Sequence, residues 1–225
     1  MQRRGDFEMN KMEIASAIPS EPVTHNHYTM KKFYTSRGVG ELVNRYRQRM
    51  MWVTEDFVVS FHQTLESEVG DAAGEIMYRC GYEWGRQDMA GFEARFKEEF
   101  GFPIEQAVLG MALETWWWPL QVAGWGAWKV DLSHKREGLI FIELFESAIA
   151  KTVGNIGKFA CHYYAGFFAA AFSHMSKRDL GGIEIQCYAM GESSCKFLVA
   201  AAKRVNAAQF WVREGATAKE VIARL

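Results

Sequence analysis

No stretch of eighteen uncharged apolar residues occurs in this chain, so a membrane-spanning helix is not expected. The two nearest approaches are short. Thr115 to Trp128 is uncharged but interrupted by Pro119, Gly124 and Gly126, and Phe159 to Phe172 is uncharged with His162 neutral. Both suit buried elements. Charge of one sign is also missing: 26 lysines and arginines face 27 aspartates and glutamates, so no basic field favours nucleic-acid phosphates. Cysteine is sparse, with four residues of which three are crowded together, unlike the disulfide framework of a small secreted domain. Met1 to Pro22 has no apolar h-region, so no secretory signal is expected and cytoplasmic residence is the default. The two GxG triplets, Gly38-Val39-Gly40 and Gly124-Trp125-Gly126, lack a third glycine and a strand-to-helix setting, so no dinucleotide site is read from them.

What is present is globular. Hydrophobic residues make up 49% and charged residues 24%, over a length that suits one domain. Residues 1–26 are polar and irregular and are expected to form a loose arm, followed by a single domain over 27–225. Gly38 and Gly40 precede a pattern read as helical through Tyr46. Ala72 to Met89 reads as a helix with Ile76, Cys80, Tyr82 and Trp84 as apolar positions. Its Gly74, Gly81 and Gly85 would let another element approach closely, which should offset about 1 kcal/mol of helix propensity each. Phe92 to Phe100 reads as a separate amphipathic helix stopped by Gly101 and Pro103, and Ile104 to Leu113 as another.

Then the period changes. Trp125 to Leu132 and Gly138 to Ala148 read as strands joined by the polar link Ser133 to Glu137. A helix over about Asn155 to Met175, strands from Gly181 and from Cys195 around the turn Gly191 to Ser194, and a helical tail broken near Gly215 complete the order. Thr217 and Glu220 have capping-box spacing. The fold class is therefore α+β, with an antiparallel sheet of two hairpins and flanking helices.

Cys161, Glu184, Cys187 and Cys195 are the candidate metal ligands, since thiolate and carboxylate both bind zinc and four of them make a tetrahedral set. Any single cysteine reads equally as a small buried hydrophobe. Glu184 and Cys187, three apart, face opposite sides of an ideal strand, so a bulge or a strand end is needed to aim both at one ion. His162 is a rival ligand about 100° round the helix from Cys161. Iron–sulfur ligation is disfavoured because Cys80 is remote in sequence.

The pattern Cys161, Gly166, Glu184, Cys187, Met190-Gly191 and Cys195 resembles the 4-vinyl reductase-like domain family. That domain occurs in a bacteriochlorophyll-biosynthesis protein and in the sensor domains of phenol- and xylene-responsive activators. Gly81-Tyr82 with Gly85 and Asp88 also resembles the sensors. The resemblance implies a fold similar to vesicle-tethering complex subunits and to the ligand-binding fold of NO signalling. It also implies a homodimer and zinc held by the three cysteines and the glutamate. Four protein ligands leave no open position, so the zinc would be structural, a clasp between the helix and the last hairpin. Where the sensors carry a pocket histidine before an Ala-Leu-Glu triplet, Met111 precedes Ala112-Leu113-Glu114 here. No GxxxxGK[ST] phosphate loop occurs, so ATPase-driven activation is not expected of these residues.

Five of the eight tryptophans lie between Trp116 and Trp128. Neighbouring rings on a regular element diverge, so Trp116, Trp117 and Trp118 cannot all pack on one surface. Together with Phe141, Phe145, Tyr163 and Phe167 they are the candidate walls of a pocket for a flat hydrophobic ligand. The functional expectation is a small-molecule binding protein taking a tetrapyrrole or chlorophyll precursor for carriage or photosystem assembly. Peripheral contact with a photosynthetic membrane is open. The alternatives are an enzyme or enzyme subunit of vinyl reduction, with Glu83, Glu114 and His134 as weak candidates, and an aromatic-compound sensor acting through a partner.

Overall fold

The computed structural model describes residues 29–225, so the arm expected over residues 1–26, and His27, lie outside the described residues. A short helix α1 (Met30–Phe33) leads into a small antiparallel sheet, β1 (Tyr34–Arg37), β2 (Glu41–Asn44) and β3 (Arg49–Met50). The helix expected after Gly40 is thus a hairpin. Gly38 and Gly40 take positive φ, 49° and 71°, and turn the chain back, so that Arg37 pairs with Glu41.

Next come α2 (Glu55–Val69) and α3 (Ala72–Phe100), the latter one 29-residue helix where two were expected. Its buried stripe is Met77, Gly81, Gly85, Met89, Phe92 and Phe96, a run of three- and four-residue steps. Of the expected apolar positions, Cys80 and Ile76 are exposed, the latter at 37%, while Trp84 packs partly buried against the core. The expected helix over Ile104 to Leu113 is a 3₁₀ turn at Ile104–Gln106, and α4 (Leu109–Val122) then carries the tryptophan run with Pro119 inside it.

The main sheet is four-stranded in the order β4 (Ala127–Asp131), β5 (Leu139–Phe145), β7 (Cys195–Ala200), β6 (Gly181–Gln186), every pair antiparallel. Between β5 and β6 lie α5 (Ala150–Val153) and α6 (His162–Ser176); residues 155–161, expected to be helical, precede α6 without forming a helix. The tail forms α7 (Ala202–Arg213) and α8 (Ala218–Arg224), the second opened by the capping box of Thr217 and Glu220. Alternation along the central strands divides the core. Ile142, Leu144, Phe197 and Val199 face α3, α4 and α6, while Leu139, Phe141, Leu198 and Ala200 face α7 and α8.

Helices α3 and α6 pack backbone to backbone. A Cβ at Gly81 would collide with the Tyr163 carbonyl, one at Gly85 with the Phe167 carbonyl, and one at Gly166 with the Tyr78 carbonyl. Gly166→Ala is therefore expected to cost at least about 1–3 kcal/mol, as overpacking does. Gly110→Ala in α4, where the new methyl meets nothing within 4 Å, should be neutral or stabilising. Denaturant midpoints of the two variants check the contrast, and equal midpoints would refute the close approach.

Candidate metal centre and aromatic cavity

Three segments bring the four candidate ligands together. Cys161 sits at the N-cap of α6, Glu184 in β6, Cys187 just after β6 and Cys195 at the start of β7. The parity problem between Glu184 and Cys187 is resolved by a register shift in the β6–β7 pairing between Glu184 and Gln186, followed directly by the strand end. One ligand atom from each residue lies within 4.8 Å of every other, and all four side chains are buried. Cys161 Sγ is 3.6 Å from Cys195 Sγ, which is 3.9 Å from Cys187 Sγ. A disulfide needs about 2.05 Å. Tetrahedral zinc with Zn–S of about 2.3 Å spaces its sulfurs by about 3.8 Å.

The surroundings support the cluster. The Cys161 backbone N–H donates to Glu184 Oε2 at 2.8 Å, and Glu184 Oε1 is buried with no hydrogen-bond partner among the described residues. Ala189 N–H lies 3.4 Å from Cys187 Sγ, and Ser147 Oγ lies 3.3 Å from Cys161 Sγ. Burial pushes the Cys161 and Cys195 thiols and the Glu184 carboxyl well up. Hydrogen bonds from Cys161 and Cys195 instead pull Cys187 down to about 2. A bound dication would hold all four groups deprotonated against the cost of burial. The donor set fits such an ion. His162 packs its ring against Gly74 of α3, and Cys80 is exposed and apart.

The candidate pocket residues are dispersed. Trp117 is buried in the core, donating from Nε1 to the Gly126 carbonyl at 3.0 Å and stacking on Trp128. Phe167 is buried and stacks on Trp116 at 5.3 Å. Tyr163 joins Trp84 and Trp125, Phe145 is half-buried at the end of β5, and Phe141 lies on the far face of the sheet against α7 and α8. Of the seven, Trp116 and Trp118 line a cavity of about 440 Å³ under the small sheet, between α3 and α4. Its other walls include Trp84, Trp125 and Tyr34. Glu83 pairs with Arg86 and His134 with Glu137, both on the surface, and burial raises the Glu114 carboxyl.

Asp88, Arg95 and Thr115, which also line this cavity, were not among the candidates. Their signal is spacing. Trp84, Asp88, Phe92 and Arg95 follow each other at four, four and three residues, which puts an acid and a base on one aromatic face of α3. The Trp116 indole N–H donates to Asp88 Oδ2 at 2.8 Å.

Comparison with known proteins gives the following. Residues 140–201 match the V4R domain. A curated relative, an uncharacterized protein of Methanocaldococcus jannaschii, is 22% identical over 126 residues, 55% of this chain, and the match spans only 62% of that relative's length. Among solved structures, the phenol-responsive sensory domain of the transcription activator PoxR with phenol superposes with a TM-score of 0.57 at 15% identity. The match covers 89% of this chain and 92% of that one. A vinyl-4-reductase family protein from Methanocaldococcus jannaschii matches at TM-score 0.45 and 13% identity, over 67% and 82% of the two chains. A trafficking protein particle complex subunit 3 from Naegleria fowleri, covalently bound to palmitic acid, matches at 0.49 and 12%, over 65% and 93%. At 15% identity the likeness to the PoxR domain is one of fold. The V4R match runs from β5 through β7, across the segment that supplies all four cluster residues.

Proposed function

We propose that this chain is a small-molecule-binding domain that takes a hydrophobic aromatic ligand in the cavity between the small sheet, α3 and α4. The cavity itself carries the reading: about 440 Å³ walled by Trp84, Trp116, Trp118 and Trp125, within the range of small-molecule sites. Cys161, Glu184, Cys187 and Cys195 hold a structural zinc, which supplies positive charge to the cluster and cross-links the start of α6 to the last hairpin. The finer reading is a tetrapyrrole or chlorophyll precursor bound for carriage or photosystem assembly. A macrocycle would enter this cavity edge-on. A sensor acting through a partner is the second reading, favoured by the likeness in fold to the PoxR sensory domain.

A homodimer belongs to the same proposal. Trp52, Phe57 and Phe61, at and before the start of α2, are 58%, 56% and 53% exposed. Exposed rings of this kind suit a protein interface. The acidic Glu55, Asp56, Glu66 and Glu68 of the same helix oppose docking on an anionic membrane. No described helix is long and apolar enough to cross a membrane.

Purification from a pigment-producing host, with metal analysis and an absorption spectrum, tests the proposal. One zinc per chain and a co-purifying chromophore are expected, and a metal-free, colourless protein that binds no hydrophobic ring compound would refute it. Cys187→Ser should release the zinc and lower the melting temperature by at least about 6 °C, taking about 3 kcal/mol for breaking a buried charged set at about 2 °C per kcal/mol. Unchanged metal content and melting would exclude this site. Thiol titration gives an independent check: one reactive cysteine, Cys80, in the folded protein and four after unfolding.

A further inference from the structure

The cavity has a polar end that its aromatic walls do not explain. Asp88 and Arg95 on α3 line it within 4.0 Å of each other, and Thr115 on α4 lines it too, next in the chain to the Trp116 that bonds Asp88. Asp88 Oδ2 is taken by the Trp116 indole N–H, and its Oδ1 lies 4.0 Å from Arg95 Nη2, too long for a hydrogen bond. Arg95 Nε and Thr115 Oγ1 are both buried with no hydrogen-bond partner among the described residues. Buried polar atoms in folded proteins are nearly always paired, so two orphans in the lining of a cavity that also holds a half-satisfied carboxylate mark a place where something else bonds.

The pair also selects the charge of that partner. Arg95 is held with its guanidinium carbon 5.1 Å from the Tyr46 ring centroid and its Nη1 in the space left by the missing side chain of Gly91. The acid and the base are therefore both fixed. A carboxylate ligand would add a second negative charge beside Asp88, and an ammonium ligand a second positive charge beside Arg95. Each would be desolvated with one repulsion for every attraction. An uncharged group that accepts on one atom and donates from the next fits between the two and leaves the pair neutral.

We propose that the polar end binds the lactam edge of a flat ring ligand. The ring carbonyl accepts from Arg95 Nε and the Thr115 hydroxyl, the adjacent ring N–H donates to Asp88 Oδ1, and the ring lies among the tryptophans. This rests on the aromatic-cavity reading above and adds the ligand's chemical class to it.

Calorimetric titration of the full chain with quinolin-2-one, naphthalene and 2-naphthoate tests both. Quinolin-2-one is expected to bind about 10- to 100-fold more tightly than naphthalene, the ratio of satisfying rather than burying unpaired polar groups. It should also bind more tightly than 2-naphthoate. Arg95→Met and Thr115→Val, which keep the packing stems, should each cut quinolin-2-one affinity about tenfold or more while naphthalene binds no more weakly than before. Should Arg95→Met fail to fold, Thr115→Val carries the same comparison. Equal binding of quinolin-2-one and naphthalene would overturn the lactam assignment while leaving the aromatic cavity standing. Tighter binding of 2-naphthoate would overturn it in favour of an anion. Binding of none of the three would overturn both.

Discussion

Three thiols and a carboxyl share a buried space less than 5 Å across, and the remainder of the fold answers to that crowding. Four such groups cannot all ionise unaided in a low-dielectric interior, because desolvation and mutual repulsion act together. Protons or a cation must settle among them, and either way the three segments that contribute are tied. Cys161 fixes where α6 begins, and Glu184 returns to the Cys161 backbone N–H at 2.8 Å. Cys187 and Cys195 define the two ends of the last hairpin's turn. Since α6 runs from that knot along α3 with glycine contacts on both helices, its position along its axis is set at one end and its distance from α3 along its length.

From this knot a chain of contacts leads to the cavity. Phe167, on α6, stacks on Trp116 of α4 at 5.3 Å and lies 4.4 Å from the Trp84 ring of α3. Trp116 in turn donates its indole N–H to Asp88. A shift of α6 would therefore move a ring that orients a cavity wall and, through it, the buried acid. Close-packed interiors transmit such shifts instead of absorbing them. The cluster is thus placed to influence the cavity by position alone, through α6.

The C-terminal half was legible in the sequence because its signals are local. Alternation, the Gly191 turn and the Thr217–Glu220 capping box each act within a few residues, and even the awkward parity of Glu184 and Cys187 named the bulge that the sheet contains. The N-terminal half was read less well for physical reasons. The Gly38-Val39-Gly40 turn, taken for the approach to a helix, reverses the chain because both glycines take positive φ. On α3 the apolar positions Ile76 and Cys80 are exposed, and the buried face runs instead through Gly81 and Gly85, where close approach was expected. There the contact is backbone on backbone, and hydrophobicity is silent about it.

The tryptophans teach a related point. Consecutive rings on α4 point about 100° apart, so Trp117 enters the core against Trp128 while Trp116 and Trp118 turn toward the cavity. Composition counted these rings but could not apportion them, and it drew attention away from the three polar side chains between them. In an aromatic enclosure the apolar walls set how strongly a ring is held, whereas the few groups that must find hydrogen bonds set which ring is accepted. In the binding mode proposed above, Asp88, Arg95 and Thr115 hold that second role, so selectivity would sit on one face of α3 and one residue of α4, away from the cysteine cluster.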